Sequence, residues 1–168
     1  MPRINKSCPG QDTAYLKDFN TNIIPCPKCG HEVEFFSGEK KVKCSNCHTS
    51  VFNLNPDIVN YKDGNLNFEV GDKSCIDWCG GCLDRKDYKD IDDIRKRIEL
   101  KKQDLKRLIE SVGKKDSDVI QFFIEAFKKS VNHPKLIDGR VFDYIQKENP
   151  GLFLKARNYY LNFLNKPI

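Results

Sequence analysis

The chain has 168 residues, of which 32% are charged and 39% hydrophobic, and its formal net charge is +5. This length fits one domain of ordinary size or two small ones. No apolar run approaches the roughly 18 residues that a membrane span needs. The opening residues, MPRINKSCPGQD, lack the apolar segment of a signal peptide. A cytoplasmic protein is therefore expected.

The cysteines and the charges divide the chain into two parts. All eight cysteines lie between residues 8 and 82. Residues 1–83 carry a net charge of −1, whereas residues 84–168 carry +6. In a reducing cytosol, clustered C-x2-C pairs are typical of metal ligands rather than of disulfides. We therefore predict a cysteine-rich metal-binding module in residues 1–83 and a basic helical domain in residues 84–168.

Two C-x2-C pairs form the clearest motif. Cys26 and Cys29 are separated by 14 residues from Cys44 and Cys47. Each pair can supply two thiolates from one tight turn to a tetrahedral ion. Gly30 follows the first pair, where a positive φ is often required. The β-forming residues 33–36 and 41–43 predict a hairpin between the pairs, and residues 49–52 predict a further short strand.

Residues 24–53 resemble the zinc-ribbon family through this CPxCG…CxxC pattern. The resemblance implies a closed structural Zn²⁺ site with Cys26, Cys29, Cys44 and Cys47 as ligands. Iron is the alternative, as in the similar turns of rubredoxin. Four cysteines complete the site, so His31 and His48 are interpreted as surface residues of the hairpins.

The remaining cysteines include a second group, CIDWCGGC, at residues 75–82. Its C-x3-C-x2-C spacing matches the cluster loop of radical S-adenosylmethionine enzymes, but the 86 residues that follow are too few, and too helical, for their βα barrel. Cys8, Cys75, Cys79 and Cys82 instead form a second set of four thiols. A [4Fe-4S] cluster is predicted there, because it is commonly held by three close cysteines and one remote one. A second Zn²⁺ is the main alternative, and free thiols are the third.

A second resemblance covers residues 7–82. The pattern CPGQDT at residues 8–13, followed by CPxC, CxxC and CxxWC, is similar to the N-terminal part of uncharacterised proteins of anaerobic bacteria and archaea. Some of these continue into HD-type phosphohydrolase domains. This chain contains no His-Asp dipeptide, so phosphohydrolase activity does not carry over. The resemblance implies an anaerobic source.

The rest of the chain predicts a hairpin and helices. Asp63-Gly64 is a strong turn signal within residues 53–74, and Leu66, Phe68 and Val70 alternate with polar residues as on a half-buried strand. A long helix is expected over residues 90–112, with an apolar stripe that Lys101 interrupts. Gly113 can end this helix, and Asp118 with Gln121 is the capping pair expected for the next one. Asp138-Gly139 precedes a short helix, and Asn149 caps a last helix with Pro150 at its first position. The inner side of this last helix is expected to carry Leu152, Phe153, Ala156, Tyr160, Phe163 and Leu164. The predicted fold class is α+β, with the zinc ribbon and short hairpins followed by a bundle of about four helices.

Three functional hypotheses follow. The first is a non-catalytic metal-binding accessory protein that serves a larger redox or maturation complex of an anaerobe. The second is a nucleic-acid-binding protein that uses the basic helical half on tRNA or DNA, although acidic residues are interleaved with the basic ones. The third is an iron-sulfur enzyme with an open iron or a reactive Cys8. No P-loop, dinucleotide fingerprint or nucleophile elbow is present, so we favour a protein without catalytic activity.

Overall fold

The computed structural model describes residues 21–36, 39–54, 57–71, 75–78 and 83–165. It confirms the α+β class, with β-hairpins that carry four cysteines followed by a region of four helices. The chain divides into two compact units, Met1–Asn55 with Gly71–Tyr88, and Pro56–Val70 with Lys89–Ile168. The division into a domain of residues 1–83 and a domain of residues 84–168 remains a prediction. No helix within the described ranges is long and apolar enough to cross a bilayer.

The first unit contains two antiparallel hairpins. Strand β1 (Asn22–Pro25) pairs with β2 (Glu32–Phe35), and β3 (Lys41–Lys43) pairs with β4 (Ser50–Phe52). The sequence instead indicated a hairpin between residues 33–36 and 41–43. The structure differs because each C-x2-C turn reverses the chain and closes its own hairpin. The inward-facing residues of the strands, Ile24, Val33, Phe35 and Val51, form one small core together with the cysteines.

The same unit contains the start of the longest helix. A one-turn helix, α1 (Cys75–Trp78), precedes α2 (Arg85–Val112). At the beginning of α2, the Asp84 carboxylate accepts from the Asp87 backbone N–H (2.8 Å), and the Asp87 carboxylate accepts from the Asp84 N–H (3.2 Å). Lys41 of β3 donates to both Asp87 oxygens at 2.8 and 2.7 Å. The Asp87 side chain is only 7% exposed, so water screens this ion pair little. The ion pair therefore stabilises the contact between the start of α2 and the second hairpin.

The second unit begins with a hairpin of β5 (Ile58–Lys62) and β6 (Asn65–Glu69). Asp63 and Gly64 both have positive φ, 54° and 86°, which is the conformation of a type I′ turn. The predicted turn is thus confirmed. Leu66 and Phe68 face the helical core as the alternation predicted, whereas Val70 lies beyond the strand and is exposed.

Helix α2 contributes Leu105, Leu108, Ile109 and Val112 to the hydrophobic core of the second unit, which is called the main core below. It begins at residue 85, five residues before the predicted start, and ends before Gly113, whose φ is 71° and whose N–H donates to Ile109 at 3.2 Å. The predicted apolar stripe is buried or half-buried along the helix. Lys101, which interrupts that stripe, is buried as well, with 4% of its surface exposed.

Three further helices complete the unit: α3 (Ser117–Ser130), α4 (Gly139–Glu148) and α5 (Pro150–Leu164). The predicted cap of α5 is confirmed, because the Asn149 side chain accepts from Leu152 N–H at 3.0 Å. Helix α4 follows Asp138 as predicted, and the Asp138 side chain caps it by accepting from Arg140 N–H at 3.1 Å. The predicted capping of α3 by Asp118 and Gln121 is wrong, because α3 begins at residue 117 and Asp118 already lies in its first turn.

Candidate metal centre

The first ligand pair is held by the turn between β1 and β2. The Cys26 N–H donates to the His31 carbonyl at 2.8 Å, and the Gly30 N–H donates to the Cys26 carbonyl at 2.8 Å. Gly30 has a φ of 73°, which a glycine adopts without steric cost. This turn places both thiols of the pair on the same side of the backbone.

The turn between β3 and β4 repeats this arrangement with different residues. The Cys44 N–H donates to the Thr49 carbonyl and the His48 N–H donates to the Cys44 carbonyl, both at 2.9 Å. His48 occupies the position of Gly30 and also has a positive φ, 58°. Sequence inspection missed this feature of His48. Aligning the sequences CPKCGH (residues 26–31) and CSNCHT (residues 44–49) would have shown that His48 is equivalent to Gly30.

The two turns bring four sulfur atoms together. The Sγ atoms of Cys26, Cys29, Cys44 and Cys47 all lie within 4.8 Å of one another. Cys26 Sγ is 3.5 Å from Cys47 Sγ, and Cys29 Sγ is 3.6 Å from Cys44 Sγ. A tetrahedral Zn²⁺ with Zn–S bonds of about 2.3 Å separates its sulfurs by roughly 3.8 Å. The four thiols therefore fit one metal ion such as Zn²⁺, with no ligand position left over.

The protein surroundings lower the pKa of two of the four thiols, Cys47 and Cys29. Hydrogen bonds from the hydroxyl and the backbone N–H of Thr49 lower the pKa of Cys47 to about 6. The backbone of His31 lowers the pKa of Cys29. Burial has the opposite effect on Cys26 and raises its pKa to about 11. A bound cation would offset this burial cost, since a coordinating thiol is deprotonated outright.

The two predicted surface histidines are both exposed. His31 Nε2 lies 2.9 Å from the Ser45 hydroxyl, so a hydrogen bond connects the first turn with the second on the outside of the site. Neither histidine belongs to the group of potential ligands. This agrees with four cysteines completing the site.

The second predicted site cannot be assembled from the described residues. Cys8, Cys79 and Cys82 lie outside them. Cys75 begins helix α1, but the structure describes only its backbone. The [4Fe-4S] site of Cys8, Cys75, Cys79 and Cys82 stays a prediction. Within the described part of the chain, Cys26, Cys29, Cys44 and Cys47 are the one group with metal-ligand geometry.

The chain was compared with protein-family models, with curated proteins and with solved structures, and none of them matches it.

Proposed function

We propose that this chain is a non-catalytic interaction protein whose first unit is held in shape by Zn²⁺. The convergence of four sulfurs within 4.8 Å of one another is the observation that carries the proposal. All four come from turns that the backbone itself defines, and together they occupy every position of a tetrahedral ion. A closed site of this kind stabilises a fold and leaves no position for a substrate. The protein would serve a larger redox or maturation complex.

The stabilising role follows from the size of the first unit's core. The core around the cysteines contains few apolar side chains, chiefly Ile24, Val33, Phe35 and Val51, and an isolated two-stranded hairpin is marginally stable at best. A metal ion bound by both turns would join the hairpins, and in such small modules the free energy of metal binding supplies the free energy of folding. The same geometry would accept iron, so metal analysis must distinguish the two.

The test is metal analysis of anaerobically purified protein and of serine variants. We expect one zinc per chain at Cys26, Cys29, Cys44 and Cys47. Cys26→Ser and Cys44→Ser should abolish its retention, whereas Cys8→Ser, the matched control, should retain it. Loss of this zinc in Cys8→Ser, or its full retention in Cys44→Ser, would show that the ribbon cysteines are not the site.

The redox part of the proposal depends on the second set of cysteines. Its support is the sequence alone: Cys8 with Cys75, Cys79 and Cys82 provides the four thiolates that a [4Fe-4S] cluster needs. About four irons and four sulfides per chain, lost in Cys79→Ser, would support it. A second zinc without sulfide would remove the redox role and leave an interaction protein with two structural sites.

Nucleic-acid binding is the second candidate function. Helix α2 presents exposed cations, and the ammonium group of Lys106 lies 5.7 Å from the centre of the half-buried Phe68 ring. Part of this charge is already neutralised, because Lys102 pairs with Asp57 and Arg107 pairs with Asp104. Binding to tRNA or DNA that weakens steeply with salt, and weakens further in Lys106→Glu, would favour this candidate. The absence of binding at low salt would eliminate it.

A further inference from the structure

The outer face of α5 carries an apolar stripe that the second unit does not cover. Leu154, Leu161 and Leu164 are 54%, 43% and 57% exposed. The sequence placed Leu164 on the inner side of this helix, and the structure corrects that assignment. With Arg157, these residues form a single row over three turns, with successive spacings of three, four and three residues. We call this row the α5 stripe.

The apolar surface of α5 is wider than the face with which this helix packs against the main core. Ala156 is fully buried, and Leu152, Tyr160 and Phe163 pack against the main core from the same side. An amphipathic surface helix normally has one apolar face, with polar residues opposite. Here the second face carries three leucines, while the polar residues other than Arg157, namely Lys155, Asn158 and Asn162, form a narrow strip. A second apolar face with helical spacing fits a partner helix.

The charges on α5 indicate which kind of partner helix would fit the α5 stripe. From Pro150 to Leu164, α5 contains no acidic residue and two basic ones. Lys155 is paired with Asp116 at 3.2 Å, whereas Arg157, in the middle of the stripe, has no ion pair within the described part of the chain. A guanidinium group among leucines favours a carboxylate, which it can bind through two parallel hydrogen bonds.

A second copy of the chain fits the stripe less well. The 3-4-3 spacing is symmetric, so an antiparallel pair would place Leu154 opposite Leu164 and Arg157 opposite Leu161. Both arginines would then be covered by leucine without a carboxylate, which is costly. Two molecules of net charge +5 also repel each other.

We propose that the α5 stripe docks an acidic amphipathic helix of a partner protein, with leucine-type residues against Leu154, Leu161 and Leu164 and a carboxylate against Arg157. This inference deepens the proposed interaction role and rests on it. The recognition is a helix packed on a helix, in which the apolar contact gives affinity and Arg157 selects partners by charge.

The test uses the full chain in its metal-loaded form and two synthetic peptides of about three heptads. Both peptides carry leucine at the a and d positions, and the flanking residues are glutamate in one and lysine in the other. We expect the wild-type protein to bind the glutamate peptide about tenfold more tightly than the lysine peptide, because one favourable charge pair is replaced by a repulsion. Arg157→Glu should reverse this preference.

Lys96→Glu is the matched control, because Lys96 is an exposed residue of α2 and its substitution changes the net charge equally. It should leave the preference unchanged. Leu161→Asn should weaken binding of both peptides without changing the helical circular dichroism signal. Equal effects of Arg157→Glu and Lys96→Glu would overturn the proposal, because they would indicate general electrostatic attraction rather than docking on the stripe.

Two further outcomes would also overturn it. One is a concentration-dependent doubling of mass in sedimentation that disappears in Leu161→Asn, which would assign the stripe to a second copy. The other is binding to vesicles of anionic phospholipid with no binding to either peptide, which would assign it to a membrane surface. Zinc content is measured on the same samples. Normal zinc content without peptide binding would reject the stripe proposal and leave the metal centre intact, and the reverse result would reject the zinc proposal alone.

Discussion

Gly30 and His48 are equivalent residues of the two C-x2-C turns, and both have a left-handed backbone conformation, with φ of 73° and 58°. In each turn this residue donates its N–H to the first cysteine of the pair. This conformation reverses the direction of the chain after the second cysteine, so that both thiols of the pair point to one centre. A glycine adopts it freely, whereas a residue with a side chain is strained there.

We predict that exchanging these residue types shifts metal affinity in opposite directions. Gly30→Ala should cost about 1–2 kcal/mol through strain at positive φ. His48→Gly should gain about 0.5 kcal/mol, because relief of strain exceeds the entropy cost of glycine and the exposed His48 side chain packs against little. Competition for zinc with a chromogenic chelator measures both. The same affinity in all three proteins would contradict the role given to this backbone position.

Metal removal should affect the two units unequally. The core around the cysteines and the core of the helical unit share no residue. We therefore expect a strong chelator to abolish the chemical-shift dispersion of β1–β4 while most of the far-ultraviolet helical signal of α2–α5 remains. Adding Zn²⁺ back should restore the dispersion. Loss of most helical signal together with the metal would show that the second unit does not fold without the first.

Lys101 is predicted to stabilise the second unit as a cap on another helix. Its ammonium group donates to the carbonyls of Ser130, Val131 (3.1 Å) and His133 (2.9 Å), just where α3 ends. Burial lowers the pKa of Lys101 to about 8, and the group remains largely protonated at neutral pH. Lys101→Met should reduce the free energy of unfolding by about 2–4 kcal/mol, because it leaves buried carbonyls without a donor.

The measurement for Lys101 is urea unfolding followed by circular dichroism. Lys96→Met is its control, since it removes an exposed ammonium from the same helix and should change stability by less than about 0.5 kcal/mol. Equal stability of the two variants would mean that the cap contributes nothing beyond an ordinary surface lysine.

Lys101 also shows where sequence reasoning ends. The spacing of the cysteines, Asp63-Gly64 and Asn149-Pro150 are local signals, and each predicts structure within a few residues of itself. Lys101 could be recognised only as an interruption of an apolar stripe. The carbonyls that explain it lie about thirty residues away in the chain, and their position follows from the packing of α3 on α2.

The same limit applies to the metal module. The two cysteine pairs could be assigned to one site because their spacing is typical of such sites. The ion pair between Lys41 and Asp87 joins residues 46 positions apart, and no periodicity in the sequence links them. The strand pairing was likewise mistaken, because alternation predicts that a segment is a strand but not which neighbour it pairs with.

The last prediction concerns Asp116, which directly precedes α3 but does not cap it. Its carboxylate accepts from the Tyr159 hydroxyl at 2.7 Å and from Lys155 Nζ at 3.2 Å, so it connects this end of α3 with α5. The Tyr159 hydrogen bond, followed by that of Lys155, holds the pKa of Asp116 below its ordinary value of 3.8. The same contact raises the pKa of Tyr159 above 10.0.

The direction of the pH dependence follows from these two shifts. Because Asp116 has a lower pKa in the folded than in the unfolded chain, it stabilises the fold above pH 3.8, and this stabilisation is lost as the pH falls through its folded pKa. Tyr159, with the raised pKa, stabilises the fold below about pH 10, and this stabilisation is lost as the pH rises through its folded pKa. Asp116→Asn should therefore remove part of the acid destabilisation of the second unit and lower the pKa of Tyr159, although burial of Tyr159 still raises that pKa in the variant. Carboxyl carbon shifts in nuclear magnetic resonance and ultraviolet titration of tyrosine measure the two pKa values. Asp118→Asn is the control, because Asp118 lies two residues further along the chain and is exposed. A Tyr159 pKa that is the same in wild type and Asp116→Asn would show that the hydrogen bond between α3 and α5 does not form in solution.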